Sequence, residues 1–501
     1  MAFERPSVKS GVLAGRTVLY SSIDENELNP VTIIQVLKDV LPSHSKNAKE
    51  IDYLKGVYKG VQEILLKEKL VRPEINNTVV ENNAYHIVEF KKGFVFGEPI
   101  QYVHRGDIGK DDIDYLNDYM TTIDKASLDV DMSEDWYTCG TAYRMAFPNK
   151  DEEQPFDIYN INPKNAFVVY DSGVEHREIM AGYITLKKDY MSNTFYCVIT
   201  IYTKKNIYTF RTNTDVFESG KEFDVEYIPE KLDKFETNFL GHIPIVEYPL
   251  NKSRLGVIEL VLSMMDTLNL ITSNDIDGIE QFVQAMLVFT NVEIDEVEYK
   301  KMREAGALML RSIKDAHSDG AKVDLLTNQL SHSETKVLYD RIYNNMLTIA
   351  GVPRMTDKAS SGDTGQARLI GEGWTMAEQR AKQDELAFKR SEKKLLRNIL
   401  SFLRVRKNIP INDLKLSSID IKFTRNKSDN MLVKAEALNL LKQSQVTPEA
   451  AFNIVGLFSD SNDVYAKSKE FFGDSFWKEV ENVVNKEPKE NTNTQTVEQD
   501  N

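Results

Sequence analysis

Two short motifs carry residue types that could take part in catalysis. Residues 11–17, GVLAGRT, resemble a phosphate-binding loop, in which backbone N–H groups cradle phosphate oxygens, but they lack the full spacing and the lysine. Residues 391–394, SEKK, match the serine–x–x–lysine spacing of acyl-transferring enzymes. SEKK lies inside a charge-dense helical pattern without the partner motifs of those enzymes. A solvated helix face is therefore the better interpretation of SEKK.

The acidic, histidine and cysteine residues do not form a recognisable metal site. Residues 129–135, DVDMSED, resemble a calcium-binding loop but lack its sharp-turn glycine and its final glutamate, so a turn and helix cap is favoured. The seven histidines have no metal-ligand spacing, and Cys139 and Cys197 form no CxxC motif. The sequence predicts no catalytic residues, no metal site and no cofactor, and therefore a protein that is not an enzyme.

Three carboxylates mark one side of a long helical pattern over residues 254–283. At about 100° per residue, Glu259, Asp266 and Asp277 lie within roughly 20° of one another, opposite a broad apolar side. They are too far apart along the axis, at about 1.5 Å per residue, to act as one paired-carboxylate site. Two interpretations stay open: an ordinary solvated helix face, or a surface past which a polyanion moves. Asp275 lands near the apolar side and is unexplained.

A stretch rich in small polar residues follows, VPRMTDKASSGDTGQARLIGEGW, at residues 352–374. It is too polar for a core and too long for a tight turn. Ser360, Ser361 and Gly362 leave the backbone conformationally free, while Arg354 and Lys358 supply positive charge. Lys358 could contact phosphates, or the segment could be an exposed linker whose lysine contacts only water.

The elements that must position these residues divide into a β-rich and a helical part. Helical patterns cover residues 31–41, ending near Pro42, and residues 47–69, and alternating aromatic runs between about 156 and 228 predict antiparallel strands. A long basic helix is predicted over residues 364–407, and small helices follow Thr447. The pattern predicts an α+β fold.

Composition limits the function classes. The chain has 501 residues and a formal net charge of −15, which argues against simple nonspecific wrapping of nucleic acid. The length allows two to four domains. No window approaches eighteen uninterrupted apolar residues, so no membrane partner is expected. Two cysteines without a disulfide framework favour a reducing compartment.

Several fragments, taken in order over more than 400 residues, resemble bacteriophage portal proteins, especially those of tailed phages of Gram-positive bacteria. The fragments are NNAYHIVEFKKGFVFGEPIQY, GTAYRMAF, INPKNAFVVYDS, IPIVEYPLNKSRLGVIELVLSMMDTLNLITSNDIDGIEQF, SSGDTGQAR, IDIKFTRN and SQVTPEAAFNIVGLFSD. The resemblance implies a ring, usually of twelve subunits, at one vertex of the capsid. Each subunit would have a mixed α/β wing, a two-helix stem, a small clip and a helical crown.

Transferred to this chain, the resemblance implies a division into nine regions. They are an N-terminal segment (1–24), the first part of the wing (25–252), a stem helix (253–284), the clip (285–332), a second stem helix (333–350), a tunnel loop (351–364), a wing helix and strand (365–426), the crown (427–485) and a disordered tail (486–501).

The resemblance also implies sites and partners. Double-stranded DNA would pass through the channel during packaging and ejection. Further partners would be the terminase large subunit, a head–tail connector or adaptor, the scaffold and the major capsid protein, with assembly in the bacterial host cytoplasm and residence at a virion vertex. Channel residues would be Glu259, Asp266 and Asp277 in the stem and Arg354, Lys358, Ser360, Ser361 and Gly362 in the tunnel loop.

Two further expectations concern the stem. Subunit packing is expected at Val261, Met265, Leu268 and Phe282, because the apolar side of a thin stem has few partners within one chain. An acidic channel would repel phosphates and keep DNA contacts transient. The alternative function is another phage head or connector protein that binds DNA or scaffold without a continuous tunnel.

Overall fold

The computed structural model of the chain describes most residues between 15 and 472. The stretches left out are 71, 106–109, 152, 192–193, 212–230, 284–285, 291–294, 296, 298–299, 302–321, 327–331, 355–372, 406–410, 412–413, 426–430, 445 and 456–460. The described residues divide into two compact units, one ending at Phe423 and the other beginning at Thr424. Mixed helix and sheet confirm the α+β class.

A six-stranded sheet accounts for the β-rich part of the sequence. Its order is β1-β5-β6-β7-β8-β9, with β1 parallel to β5 and every other pair antiparallel. The strands are β1 (Leu19–Ser21), β5 (Ala166–Asp171), β6 (Glu178–Asp189), β7 (Thr194–Tyr202), β8 (Asn206–Arg211) and β9 (Lys231–Thr237). The aromatic and β-branched alternation of β5 to β8 thus forms antiparallel strands, as the sequence predicts.

One continuous helix, α1 (Pro30–Tyr58), replaces the two helices predicted on either side of Pro42. The prediction of a break was wrong. Pro42 removes one backbone donor, but both halves of α1 bury apolar side chains in separate cores, such as Leu37 near the large sheet and Leu54 in the neighbouring body. Packing on both sides of the proline outweighs the lost hydrogen bond.

The second core of the first unit combines helices with small sheets. A three-stranded sheet has the order β10-β3-β4, and β2 pairs with β13. Aromatic rings of Phe96, Trp136 and Phe388 meet edge to face in its centre. The elements are α2 (Asn83–Phe96), β2 (Gln101–His104), α3 (Lys110–Thr122), α4 (Lys125–Cys139), β3 (Thr141–Pro148), β4 (Phe156–Ile161), β10 (Ile245–Pro249), α7 (Trp374–Val405) and β13 (Ile419–Lys422).

Between β10 and α7, the chain forms a helical hairpin with a small sheet. Helix α5 (Leu262–Val283) packs against α6 (His332–Ala350), and β11 (Met286–Thr290) pairs antiparallel with β12 (Lys322–Leu326). The predicted start of α5 at residue 254 was wrong by eight residues. Arg254 has a left-handed backbone with φ of 52°, so the helix cannot begin there.

The second unit contains three short helices among its described residues. These are α8 (Met431–Gln443), α9 (Pro448–Val455) and α10 (Ser461–Phe472). Pro448 occupies the first position of α9, and the Ala451 N–H donates to the Thr447 carbonyl, as expected for a helix beginning after Thr447.

Candidate functional site

The polar side of α5 is covered by another segment of the same chain. Residues 76–81, here named the strap, run antiparallel to α5. The backbone N–H groups of residues 77, 79 and 81 donate to Asp277 Oδ1 at 2.7 Å, Ser273 Oγ at 3.0 Å and Asn269 Oδ1 at 3.1 Å. Each alternate strap residue thus meets a side chain one helical turn nearer the N-terminus of α5.

Matching repeat lengths explain this arrangement. Four residues of an α-helix advance about 6.0 Å, and two residues of an extended chain advance about 6.6 Å. Polar side chains at positions 269, 273 and 277 therefore keep pace with alternate N–H groups of an extended segment. The strap also joins α5 to α6, because the Glu81 carboxylate accepts from the hydroxyls of Thr272 at 2.5 Å and Tyr339 at 2.6 Å.

Asp277 is the most strongly held residue of this contact. Its side chain is 4% exposed and accepts from Lys67 Nζ at 2.8 Å, from Lys69 Nζ, and from the Asn77 backbone and side-chain amides. Burial opposes its ionisation, but these donors outweigh that effect and hold its pKa well below the ordinary range. The strap and two lysines cover Asp277, and this burial supports neither the predicted channel-facing position nor the alternative of a solvated face.

Glu259 is also buried instead of solvated. It is 1% exposed, forms an ion pair with Arg16, and accepts from the Gly256 N–H at 2.6 Å and the Gly15 N–H at 3.3 Å. Burial raises its pKa to about 6, although Arg16 and the two amides favour the ionised form. Within GVLAGRT, Gly15 and Arg16 therefore bind a carboxylate of the chain itself. This burial within one chain does not support the predicted position of Glu259 on the channel wall.

The apolar side of α5, together with Val261 in the turn before it, packs within one chain. Val261, Met265 and Leu268 are at most 1% exposed and belong to the large core of the first unit. Residues of α6 and of the neighbouring core supply their partners within one chain, so this burial does not support the predicted subunit packing at these three positions. The side chain of Phe282 lies outside the described part. Asp266 is half-buried, and its place toward a channel stays a prediction.

A different set of apolar side chains remains exposed on the α5–α6 hairpin. Sequence periodicity did not predict that this set is exposed. It identifies the apolar side of a helix but not the length over which other elements cover that side. The exposed apolar residues are Leu270, Ile276 and Ile279 on α5 and Val337, Leu338 and Ile349 on α6.

Most of the predicted tunnel loop lies outside the described residues, including Lys358, Ser360, Ser361 and Gly362. The start of the loop is described. Gly351 has φ of 74° and ends α6, and Arg354 donates from Nη2 to Thr348 Oγ1 at 2.9 Å. Arg354 is exposed, so its role toward DNA stays a prediction.

The SEKK and DVDMSED motifs, for which the sequence favoured non-catalytic interpretations, contribute to one buried ionic cluster. Glu392 of SEKK and Asp129 of DVDMSED bind Lys125 at 3.1 and 2.6 Å and Arg144 at 3.7 and 2.6 Å. The hydroxyls of Tyr102 and Tyr248 donate to Glu392 at 2.6 and 2.7 Å. Glu392 is fully buried, so the solvated-face interpretation of this part of SEKK was wrong. The cluster joins α4, α7, β2, β3 and β10.

Neither a metal site nor a membrane-spanning helix occurs among the described residues. Among them, no group of three or more His, Cys, Asp or Glu side chains could hold a metal ion. None of the described helices combines the length and apolar character needed to cross a bilayer.

Comparisons with known proteins place these features in context. A family model described as "Phage portal protein, SPP1 Gp6-like" matches residues 37–471. No curated protein matches the chain. Among solved structures, a chain from "Virion of native gene transfer agent (GTA) particle" is similar with a TM-score of 0.43 and 9% identity, covering 82% of this chain and 94% of that chain.

Proposed function

The chain belongs to the SPP1 Gp6-like family of phage portal proteins, and on that premise we propose that it forms a homo-oligomeric ring of twelve subunits at one capsid vertex. The family is a structural one, and the chain is a component of a phage particle that assembles with other particle proteins. The ring would provide a channel through which double-stranded DNA is packaged and ejected. The single observation that carries this proposal is the family match over residues 37–471.

The α5–α6 hairpin supports the proposed stem. Helices α5 and α6 pack against each other, and the paired strands β11 and β12 lie between them in the sequence. This arrangement corresponds to a stem (253–284 and 333–350) with a clip (285–332) between its helices. The wing, crown and tail boundaries given above are likewise proposed, with the crown at 427–485.

Within the ring, the tunnel loop at 351–364 is the proposed contact with DNA. Arg354 and Lys358 would touch phosphates briefly, and Ser360, Ser361 and Gly362 would allow the loop to follow a moving duplex. Asp266 is the remaining stem candidate for the channel wall. The terminase large subunit would dock on the clip, while an adaptor, the scaffold and the major capsid protein would contact the outside of the ring.

Particle mass and images test the ring directly. Light scattering or native mass spectrometry of the purified chain should give a closed oligomer near twelve times 57.3 kDa, and negative-stain images should show an axial hole. A monomer, or an oligomer without a hole, would contradict the proposed channel and favour a connector or head protein without a tunnel.

Deletion of residues 359–362 tests the loop separately. Rings should still assemble, because the deletion leaves α5, α6 and the body intact, but heads containing them should hold less DNA. Normal DNA content in those heads would reduce the segment to a linker.

A further inference from the structure

Helix α7 carries an exposed basic face on a chain that is acidic overall. The basic face is defined here as Lys382, Leu386, Arg390, Lys393 and Arg397. At about 100° per residue these five positions lie within an arc of roughly 80°, and they extend along about 22 Å of the helix. The opposite side of α7 is buried in the core through Phe388, Glu392, Leu395 and Ile399.

Lys382 Nζ lies 3.8 Å from the Glu378 carboxylate, but the other three basic residues of this face are not paired with the acids of α7. The helix has four acidic residues, and the fully buried Glu392 is committed to the ionic cluster. Within the described part of the chain, Arg390, Lys393 and Arg397 form no ion pair. Leu386 lies among them and is 70% exposed, so the face also offers one apolar side chain.

Helix α3 presents the complementary surface. Its acidic face is defined here as Asp114, Tyr115 and Asp118, which share one side of the helix opposite the buried Leu116. Both aspartates are exposed and, among the described residues, form no ion pair. Tyr115 is 43% exposed, so this face also pairs charge with one apolar side chain.

The two faces belong to different sides of the first unit. Asn117 of α3 hydrogen bonds the backbone of Tyr102 in β2, at 2.9 Å to the carbonyl and 3.3 Å from the N–H. The Tyr102 hydroxyl in turn donates to Glu392 on the buried side of α7. Strand β2 therefore lies between α3 and α7, and the basic face of α7 points away from it.

We propose that the basic face of α7 docks on the acidic face of α3 of a second copy of this chain. The proposal rests on the ring proposed above, because a closed ring needs two different, complementary patches on each subunit. Arg and Tyr are residue types enriched at protein interfaces, and opposite charges fix the register of association. The exposed Leu386 would bury against Tyr115, whereas a phosphate backbone offers it no apolar partner.

Charge reversal with rescue tests this pairing in the full chain. R390E/R397E alone and D114K/D118K alone should each weaken association per interface by about 10-fold or more, because attraction becomes repulsion. The four-site variant restores the opposite charges and should recover rings. K38E/K187E, which reverses two exposed lysines on α1 and β6, is the matched control and should assemble normally.

The outcomes separate this inference from the proposed function. If both double variants form rings as stable as those of the wild type, the pairing is overturned while the portal proposal stays intact. Rings that persist in R390E/R397E but retain less DNA would overturn it in favour of a DNA-binding face. A wild-type chain that forms no ring contradicts both proposals.

Folding is checked independently by thermal melting of each variant. A double variant that does not fold is replaced by R390Q/R397Q or D114N/D118N, which remove charge without reversing it. These should make ring dissociation less sensitive to added salt than in the wild type, and an unchanged salt dependence would overturn the pairing.

Discussion

Replacing Asp277 with alanine should release the strap from α5 without unfolding the chain. The substitution removes the acceptor for two lysine ammonium groups and for the Asn77 backbone N–H, which donates at 2.7 Å. Breaking a buried ion pair costs about 3–5 kcal/mol. Because the Lys67 and Lys69 side chains are 11% and 29% exposed, water can replace part of the lost interaction, and about 3 kcal/mol is the expected loss.

Hydrogen exchange measured by mass spectrometry can detect this loss locally. A change of about 3 kcal/mol corresponds to roughly 100-fold faster exchange for a peptide covering residues 74–82. Peptides from the centre of the large sheet should exchange as in the wild type. Asp340→Asn is a suitable control, because Asp340 is an exposed acid on α6.

The pH dependence gives a second test with a definite sign. The pKa of Asp277 is depressed in the folded chain, so its stabilising contribution is present above the ordinary value of 3.8 and is lost as pH falls below it. The difference between wild type and Asp277→Ala in strap exchange should therefore shrink on acidification. Equal strap exchange in the two proteins at neutral pH would refute the reasoning.

Three further predictions concern buried groups and the stem. The pKa of Glu259 is about 6 in the folded chain, against 4.5 for an ordinary glutamate, so the free energy of unfolding should fall by about 2 kcal/mol as pH rises from 4.5 to above 6. Glu259→Gln removes this titration, so the urea midpoint of the variant should depend less on pH over that range. Glu392→Gln should cost about 3 kcal/mol in urea unfolding, because Lys125 and Arg144 lose a buried counterion; a midpoint equal to that of the exposed-site control Glu334→Gln would contradict the role of the cluster. Leu268→Asp should unfold the first unit, whereas Ile279→Asp, at a 54% exposed position, should keep the melting temperature and weaken only ring assembly; the reverse pattern in melting and sizing experiments would contradict the burial assignment.

Local sequence patterns were sufficient for the secondary-structure types and for the family. Alternating β-branched and aromatic residues predict the antiparallel strands, because side chains of a strand alternate between faces. Helical periodicity predicts α5, α6 and α7, although α5 and α7 begin later than predicted, at Leu262 and Trp374. The order of moderately specific fragments indicates a portal protein, and the family match over residues 37–471 confirms this.

Tertiary structure decided which polar side chains are exposed. Glu259 and Asp277 lie on the polar side of the helical-wheel projection of residues 254–283. From such a projection alone, polar positions are predicted to be exposed to solvent. Their partners come from distant parts of the chain, Arg16 being 243 residues from Glu259 and Lys67 being 210 residues from Asp277. No local pattern encodes such pairs, because a buried charge is stable only once folding brings its donors into place.

The same reasoning applies to apolar contacts and to Pro42. Whether Leu268 packs within one chain or between chains depends on the position of α6, which returns to α5 only after the β11–β12 excursion. Pro42 predicts a helix break from local hydrogen bonding alone, but two cores formed by distant strands and helices hold α1 continuous. Periodicity determines which face of a helix is apolar, and long-range packing determines what covers each face.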